Sequence, residues 1–205
     1  MSPARATDAA IAQLCAAIAA DGYGIARDFV PGPLVAALAA EARRRDAAGE
    51  FHVAGFGRGE RRVERDDIRG DRISWLDEHL LSPPERAFWN ALETLRVALN
   101  EITFLGLFAF EGHYALYPPG AFYARHRDRF RDDDARVLSC ALYLNQEWSS
   151  NDGGALRIHL SNVEARDVLP AGGTLACFLA DRYEHEVLPA TRERLSIAGW
   201  FRRRS

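Results

Sequence analysis

Apolar positions follow two different rhythms along the chain. In the first half they keep helical spacing. Ile11, Leu14, Cys15 and Ile18 form one such face, and Asp21-Gly22 ends the run. A short strand is expected from Gly24 to Val30. Pro33 opens a second helix, with Leu34, Val35 and Leu38 on one side before the charged stretch Glu41 to Asp46. A third helix starts near Pro83-Pro84 and carries Phe88, Leu92, Leu95 and Leu99 at helical intervals. Between the second and third helices, Phe51 to Arg72 is rich in glycine and charge and predicts an ordered loop or hairpin. Its arginines suit either a solvated surface or contact with a substrate.

From about Phe104 the rhythm changes to period two. Phe108, Phe110, Tyr114 and Leu116 alternate with smaller or more polar residues. Further short strands are expected at Val137 to Asn145, Gly154 to Leu160, Thr174 to Ala180, Glu184 to Val187 and Arg194 to Arg202. Asp152-Gly153-Gly154 and Ala171-Gly172-Gly173 supply turns between them. Short strands without intervening helices predict an antiparallel sandwich or barrel. The chain reads as one α+β domain over 1–205: helical support through residue 103, then a β-core from 104 onward. No repeat, linker or low-complexity tract divides it.

Composition adds exclusions. The formal net charge of −3 at pH 7 supplies no field for nucleic acid or an anionic membrane. All 26 basic residues are arginine, which reads as coding bias. Cys15, Cys140 and Cys177 are too scattered for a disulfide framework or a zinc pattern, and the last two lie in apolar runs. No run approaches the ~18 apolar residues of a membrane span, and no signal-peptide pattern opens the chain. A cytoplasmic monomer is expected.

Candidate chemistry begins at His126-Arg127-Asp128. In an extended segment residues two apart point the same way, so this imidazole and carboxylate can converge on one point. Such a triplet is common by chance among 6 histidines and 29 acids. It gains meaning beside His185, because two histidines and one carboxylate on one face of a ferrous ion leave positions open for oxygen chemistry. Arg194 opens a strand whose one face reads Arg194, Ser196, Ala198, Trp200, while Leu195, Ile197 and Phe201 take the other. A guanidinium in an apolar strand needs a partner, which is either an internal Asp or Glu or the carboxylate of a ligand. On a second strand Ser139, Ala141, Tyr143 and Asn145 share a face. Small residues around one tyrosine leave space for a ligand, or else the phenol simply packs and bonds backbone.

These motifs, taken in order, resemble the prolyl hydroxylase branch of the Fe(II)- and 2-oxoglutarate-dependent dioxygenases, which includes the hypoxia-factor prolyl hydroxylases and their bacterial relatives. The resemblance runs from Gly22 to Arg203. It rests on Arg69-Gly70-Asp71-Arg72-Ile73-Ser74-Trp75, Tyr117-Pro118, Tyr123 before His126-Arg127-Asp128, and Tyr143-Leu144-Asn145. It continues through Trp148, Gly153-Gly154-Ala155-Leu156-Arg157, His185-Glu186-Val187, and Arg194 to Phe201.

The resemblance implies a double-stranded β-helix (jelly-roll) core with supporting N-terminal helices. It implies iron ligands at His126, Asp128 and His185, and a 2-oxoglutarate anchor at Arg194 helped by Tyr143, Tyr117 and Ser196. The distance of Tyr117 from the triplet differs by one residue from the family pattern. Arg136 matches an arginine facing the peptide substrate, and the segment from about 51 to 75, with Arg69, Asp71 and Trp75, corresponds to a finger loop that closes over it. The expected cofactors are Fe(II), 2-oxoglutarate and O2, with ascorbate as reductant. The expected partner is a protein or peptide with a target proline, such as elongation factor Tu or another translation factor. The chain is expected to be a minimal catalytic unit. A non-catalytic 2-oxoglutarate- or oxygen-responsive binding protein, a cupin-type metal protein, and an oxygenase of a ribosomal protein or small molecule are the competing expectations.

Overall fold

The computed structural model describes residues 3–55, 68–128 and 135–204, with side chains in the first helix described from Asp8 onward. In chain order the elements are α1 (Pro3–Asp21), β1 (Tyr23–Ala26), α2 (Gly32–Ala47), β2 (His52–Val53), β3 (Arg72–Trp75) and α3 (Pro83–Thr103). Then follow β4 (Ala109–Tyr117), β5 (Tyr123–His126), β6 (Arg136–Tyr143), β7 (Leu156–His159), β8 (Ala165–Val168), β9 (Leu175–Leu179), β10 (Glu184–Val187) and β11 (Arg194–Arg202).

Among the described residues the strands form two antiparallel sheets. The larger has the order β1-β9-β6-β11-β4-β3-β2 and the smaller β5-β10-β7-β8. They face one another as a jelly-roll, with the three helices covering the outer face of the larger sheet. No helix among the described residues is long and apolar enough to cross a membrane.

The period-two pattern assigns the layers. On β4 the even positions Phe110, Tyr114 and Leu116 pack toward the helices, as do Leu138, Cys140 and Leu142 on β6 and Leu195, Ile197 and Phe201 on β11. Glu111, His113, Ala115 and Tyr117 of β4, Ser139, Ala141 and Tyr143 of β6, and the even positions of β11 from Arg194 to Trp200 face the space between the sheets, whereas Val137 packs on the helix side. α3 docks Phe88, Leu92, Leu95 and Leu99, all at most 1% exposed, into the first core, each stabilising the fold by roughly 1.5–3 kcal/mol. At its start the Glu85 carboxylate accepts the Ser82 backbone N–H at 2.8 Å and meets Arg45 of α2 at 3.0 Å. Cys140 and Cys177 lie directly opposite each other on β6 and β9, with Sγ atoms 3.3 Å apart, and Cys15 of α1 is fully buried.

The structure departs from sequence expectation mainly at edges. The strand expected from Gly24 to Val30 is β1, and it ends at Ala26 because a turn follows. The hairpin expected in 51–72 is present as β2 paired with β3, and β3 also pairs with β4. Residues 56–67 of the expected finger loop lie outside the described residues. β8, whose Ala165–Asp167 are exposed, carries no apolar alternation and was not expected.

Candidate active site

A cavity of about 570 Å³ opens between the sheets. His126 ends β5 and stands directly opposite His185 of β10 in the antiparallel register. Cross-strand neighbours share a face, so the two imidazoles meet with ring centroids 4.2 Å apart. Asp128, two residues on from His126, brings its carboxylate 3.5 Å from His126 Nε2 and 3.4 Å from His185 Nε2. All three donor atoms lie within 4.8 Å of one another, so the trio can hold one metal ion.

Neighbouring groups orient the donors. His126 Nδ1 lies 2.7 Å from the Ala124 carbonyl. A carbonyl only accepts, so Nδ1 carries the proton and Nε2 offers its lone pair to the cluster. The Tyr123 ring stacks on His126 at 3.6 Å, and the Ser139 hydroxyl donates to Asp128 at 2.7 Å. Burial alone would raise the Asp128 carboxyl. The imidazoles of His185 and His126 and the Ser139 hydroxyl outweigh it and hold the group well below the usual carboxylate range. Burial pushes the His185 imidazole down to about 4, which keeps it neutral and able to coordinate. The donor set, one carboxylate and two neutral imidazoles with open space on the cavity side, fits a ferrous ion.

Further along the cavity Arg194 is only 2% exposed. Its Nε donates to the Gly154 carbonyl at 2.9 Å and its Nη1 to Ser196 Oγ at 3.3 Å. No carboxylate among the described residues pairs with it, so the internal salt bridge is absent. Tyr117 and Tyr143 flank it, each ring centroid 5.1 Å from the guanidinium carbon. The Tyr143 hydroxyl is buried and, among the described residues, has no partner at hydrogen-bond geometry. Burial pushes this phenol up to about 12 although Arg194 pulls the other way, so it stays a donor. A buried cation and an unmet phenol in one corner fit the distal carboxylate of a dicarboxylic acid.

The turn at Gly153-Gly154 makes this corner possible. Both residues have positive φ (68° and 70°), and a Cβ on Gly154 would meet Ala190 at 2.9 Å. Asn145 completes the support, accepting the Leu195 N–H at 2.7 Å and donating to Pro170 O at 2.8 Å.

At the other end the cavity wall is aromatic and charged. Arg136 stacks on Trp200, its guanidinium carbon 3.5 Å from a ring centroid, and donates to Glu111 at 2.9 Å. Trp75, 44% exposed, packs on His113. Arg69 lines the cavity, gripping Asp71 with bonds of 2.5 and 2.9 Å and lying over the Tyr123 ring. Asp71 is buried and occupied by Arg69, so it supports that arginine rather than facing the cavity. Backbone bonds from Gly70 to Phe122 and from Ala124 to Ile68 tie this segment to β5.

The structure thus brings together His126, Asp128 and His185, and separately Arg194, Tyr117 and Ser196, along one cavity, with Tyr143 packed behind its wall against Arg194. Three members went unnoticed in the sequence. Ser139 reads there only as a small residue, and His113 and Trp200 read as ordinary strand positions.

The comparisons agree with this geometry. Residues 112–202 match the 2OG-Fe(II) oxygenase superfamily. A prolyl-4-hydroxylase of Pseudomonas putida is 49% identical, with a TM-score of 0.85, covering 95% of this chain and 100% of that one. A prolyl hydroxylase of Trichoplax adhaerens, solved with a hypoxia-inducible-factor peptide, shares the fold at 23% identity and a TM-score of 0.84, covering 97% of this chain and 91% of that one. A hypoxia-inducible factor prolyl hydroxylase of Caenorhabditis elegans is 28% identical over 186 residues, 84% of this chain, which spans only 22% of that relative's length. The chain belongs to the 2OG-Fe(II) oxygenase superfamily, on its prolyl hydroxylase branch.

Proposed function

We propose that this chain hydroxylates a prolyl residue of a cytoplasmic protein, a translation factor of the elongation factor Tu type leading the candidates. The overall reaction converts prolyl residue, 2-oxoglutarate and O2 into hydroxyprolyl residue, succinate and CO2. The observation that carries the reading is the buried Arg194–Tyr143 corner, which has a cation and a free donor but no internal carboxylate. The 49% identity to a prolyl-4-hydroxylase over nearly the whole chain supports the substrate class.

In this reading His126, Asp128 and His185 hold Fe(II), and Arg194, Tyr143 and Ser196 hold the distal carboxylate of 2-oxoglutarate, with Tyr117 packing beside it. When bound, the iron and keto acid supply the activation of O2 and the oxidation of the target C–H bond, with ascorbate keeping the metal reduced. The chain's own groups do the rest. Ala124 and Ser139 fix the orientation of the His126 and Asp128 donors. The inner walls, with Leu156, Phe178 and Val187, exclude water beside the metal position. Arg136, Arg69 and Trp75 line the cavity where a polypeptide enters, and Asp71 holds Arg69 in place.

The test is turnover by iron-reconstituted protein with proline-containing peptides from translation factors. Succinate should form only with Fe(II), 2-oxoglutarate and O2 together, and the peptide should gain one oxygen at proline. Failure of both with every peptide overturns the proposal.

A further inference from the structure

His113 occupies the centre of β4 on the cavity side and is 2% exposed, yet among the described residues neither of its ring nitrogens has a hydrogen-bond partner. It lies between two indoles, with centroids 4.8 Å from Trp75 and 5.6 Å from Trp200. Trp200, also buried, leaves its Nε1–H unmet, and Arg136 stacked on it holds the indole in place. Each unmet buried polar atom costs about 1–3 kcal/mol. A leucine or methionine would fill the same space at less cost, so packing does not explain the imidazole.

Register locates these atoms. Ser139, which holds Asp128, pairs with Trp200 across β6 and β11, and His113 pairs with Ala198 across β4 and β11. His113 therefore stands one row of side chains from Ser139 and two rows from Arg194, nearer the metal-binding cluster than the Arg194 corner.

We infer that His113 is a specificity-determining residue, which pairs with the amide group following the target residue of a polypeptide while the Trp200 indole donates to a neighbouring carbonyl. The inference rests on the polypeptide-hydroxylase reading and deepens it. Burial, helped by nearby Arg69 and Arg136, keeps the imidazole neutral, with one donor and one acceptor. A peptide offers the complementary carbonyl and N–H. Proline within a chain has no N–H of its own, so the acceptor nitrogen takes the N–H of the next residue.

The probe is N-acetyl-L-prolinamide, compared with N-acetyl-L-proline methyl ester, which lacks that N–H. Both are titrated into protein loaded with Zn(II) and 2-oxoglutarate, and the histidine imidazoles are followed by NMR. The amide should shift the His113 signals and bind about 10-fold more weakly to His113→Leu, one hydrogen bond's worth. His113→Gln, which keeps a donor and an acceptor, should recover most of the loss, and the ester should bind wild type and His113→Leu alike. If His113→Leu does not fold, the wild-type imidazole shifts and the amide–ester difference decide. Unmoved His113 signals, equal amide binding by wild type and His113→Leu, or no binding of the amide overturns the inference. Iron-dependent succinate formation by protein of the same batch reconstituted with Fe(II) instead of Zn(II) then shows that the enzymatic reading survives; absence of that turnover overturns the reading itself.

Discussion

At Arg194 burial and charge oppose each other, and the bonds to Gly154 and Ser196 answer only part of the guanidinium's demand. Arg194→Ala should raise the 2-oxoglutarate KM about 30- to 100-fold, the scale of a charge-assisted contact, while metal affinity stays unchanged in a calorimetric titration. Arg194→Lys should recover little, because an ammonium cannot keep the fork to Gly154 and still reach the ligand. Ser139→Ala should act oppositely, weakening iron binding 10- to 100-fold with the keto-acid KM little changed. His185 sets a pH dependence for the metal-free protein. Its pKa lies near 4 when folded against 6.5 in the unfolded chain, so the unfolded state binds more protons between those values. Stability is therefore complete above pH 6.5 and falls by up to about 3 kcal/mol on acidification toward pH 4, and His113 acts in the same direction. Urea melts of chelator-treated protein across this range measure it.

Strands that alternate were the most legible elements. β10 and β11 have the bounds their sequences predict: β11 packs one face on the core and lines the cavity with the other, and β10 turns His185 and Val187 inward and Glu184 and Glu186 outward. Arg194, Ser196 and Trp200 share a face as alternation requires, and the His126-Arg127-Asp128 triplet converges with His185 for the same reason. β8 was illegible, since its stability comes from pairing rather than from an apolar face, and within the segment expected as a loop or hairpin the bounds of the short β2 and β3 were illegible for the same reason. Ser139 was illegible as a donor because its partner is Asp128, eleven positions away in sequence and brought close only by the fold. Gly199 shows what strand packing demands. A Cβ there would come within 2.4 Å of the Glu111 carbonyl and of the Phe110 ring. Gly199→Ala should therefore destabilise the fold by about 2 kcal/mol or more, read as a lower urea midpoint with m unchanged.

Across the whole molecule, the metal cluster joins two strands of the smaller sheet, and Ser139 links it to the larger one. An ion held by these residues would tie β5 to β10, with Ser139 coupling the cluster to the larger sheet, and the unfolded chain has no comparable site. Metal at 100 times its Kd should stabilise the fold by about 2.7 kcal/mol and raise Tm by roughly 5–10 °C over chelator-treated protein. The added shift from 2-oxoglutarate should vanish in Arg194→Ala. The helices, the two-sheet core and the convergence of His126, Asp128 and His185 followed from periodicity and from the family motifs, whereas the unmet imidazole of His113 had no sequence signal, because hydrogen-bond satisfaction is a property of the folded interior.

Cys15, Cys140 and Cys177 are each at most 5% exposed. Because the thiols are buried in the native state, Cys15 and Cys177 entirely, a chromogenic thiol reagent should label the cysteines far more slowly in the folded protein than in denaturant. The chain therefore carries its own unfolding clock, and the slow labelling rate in native buffer counts global openings without any introduced probe.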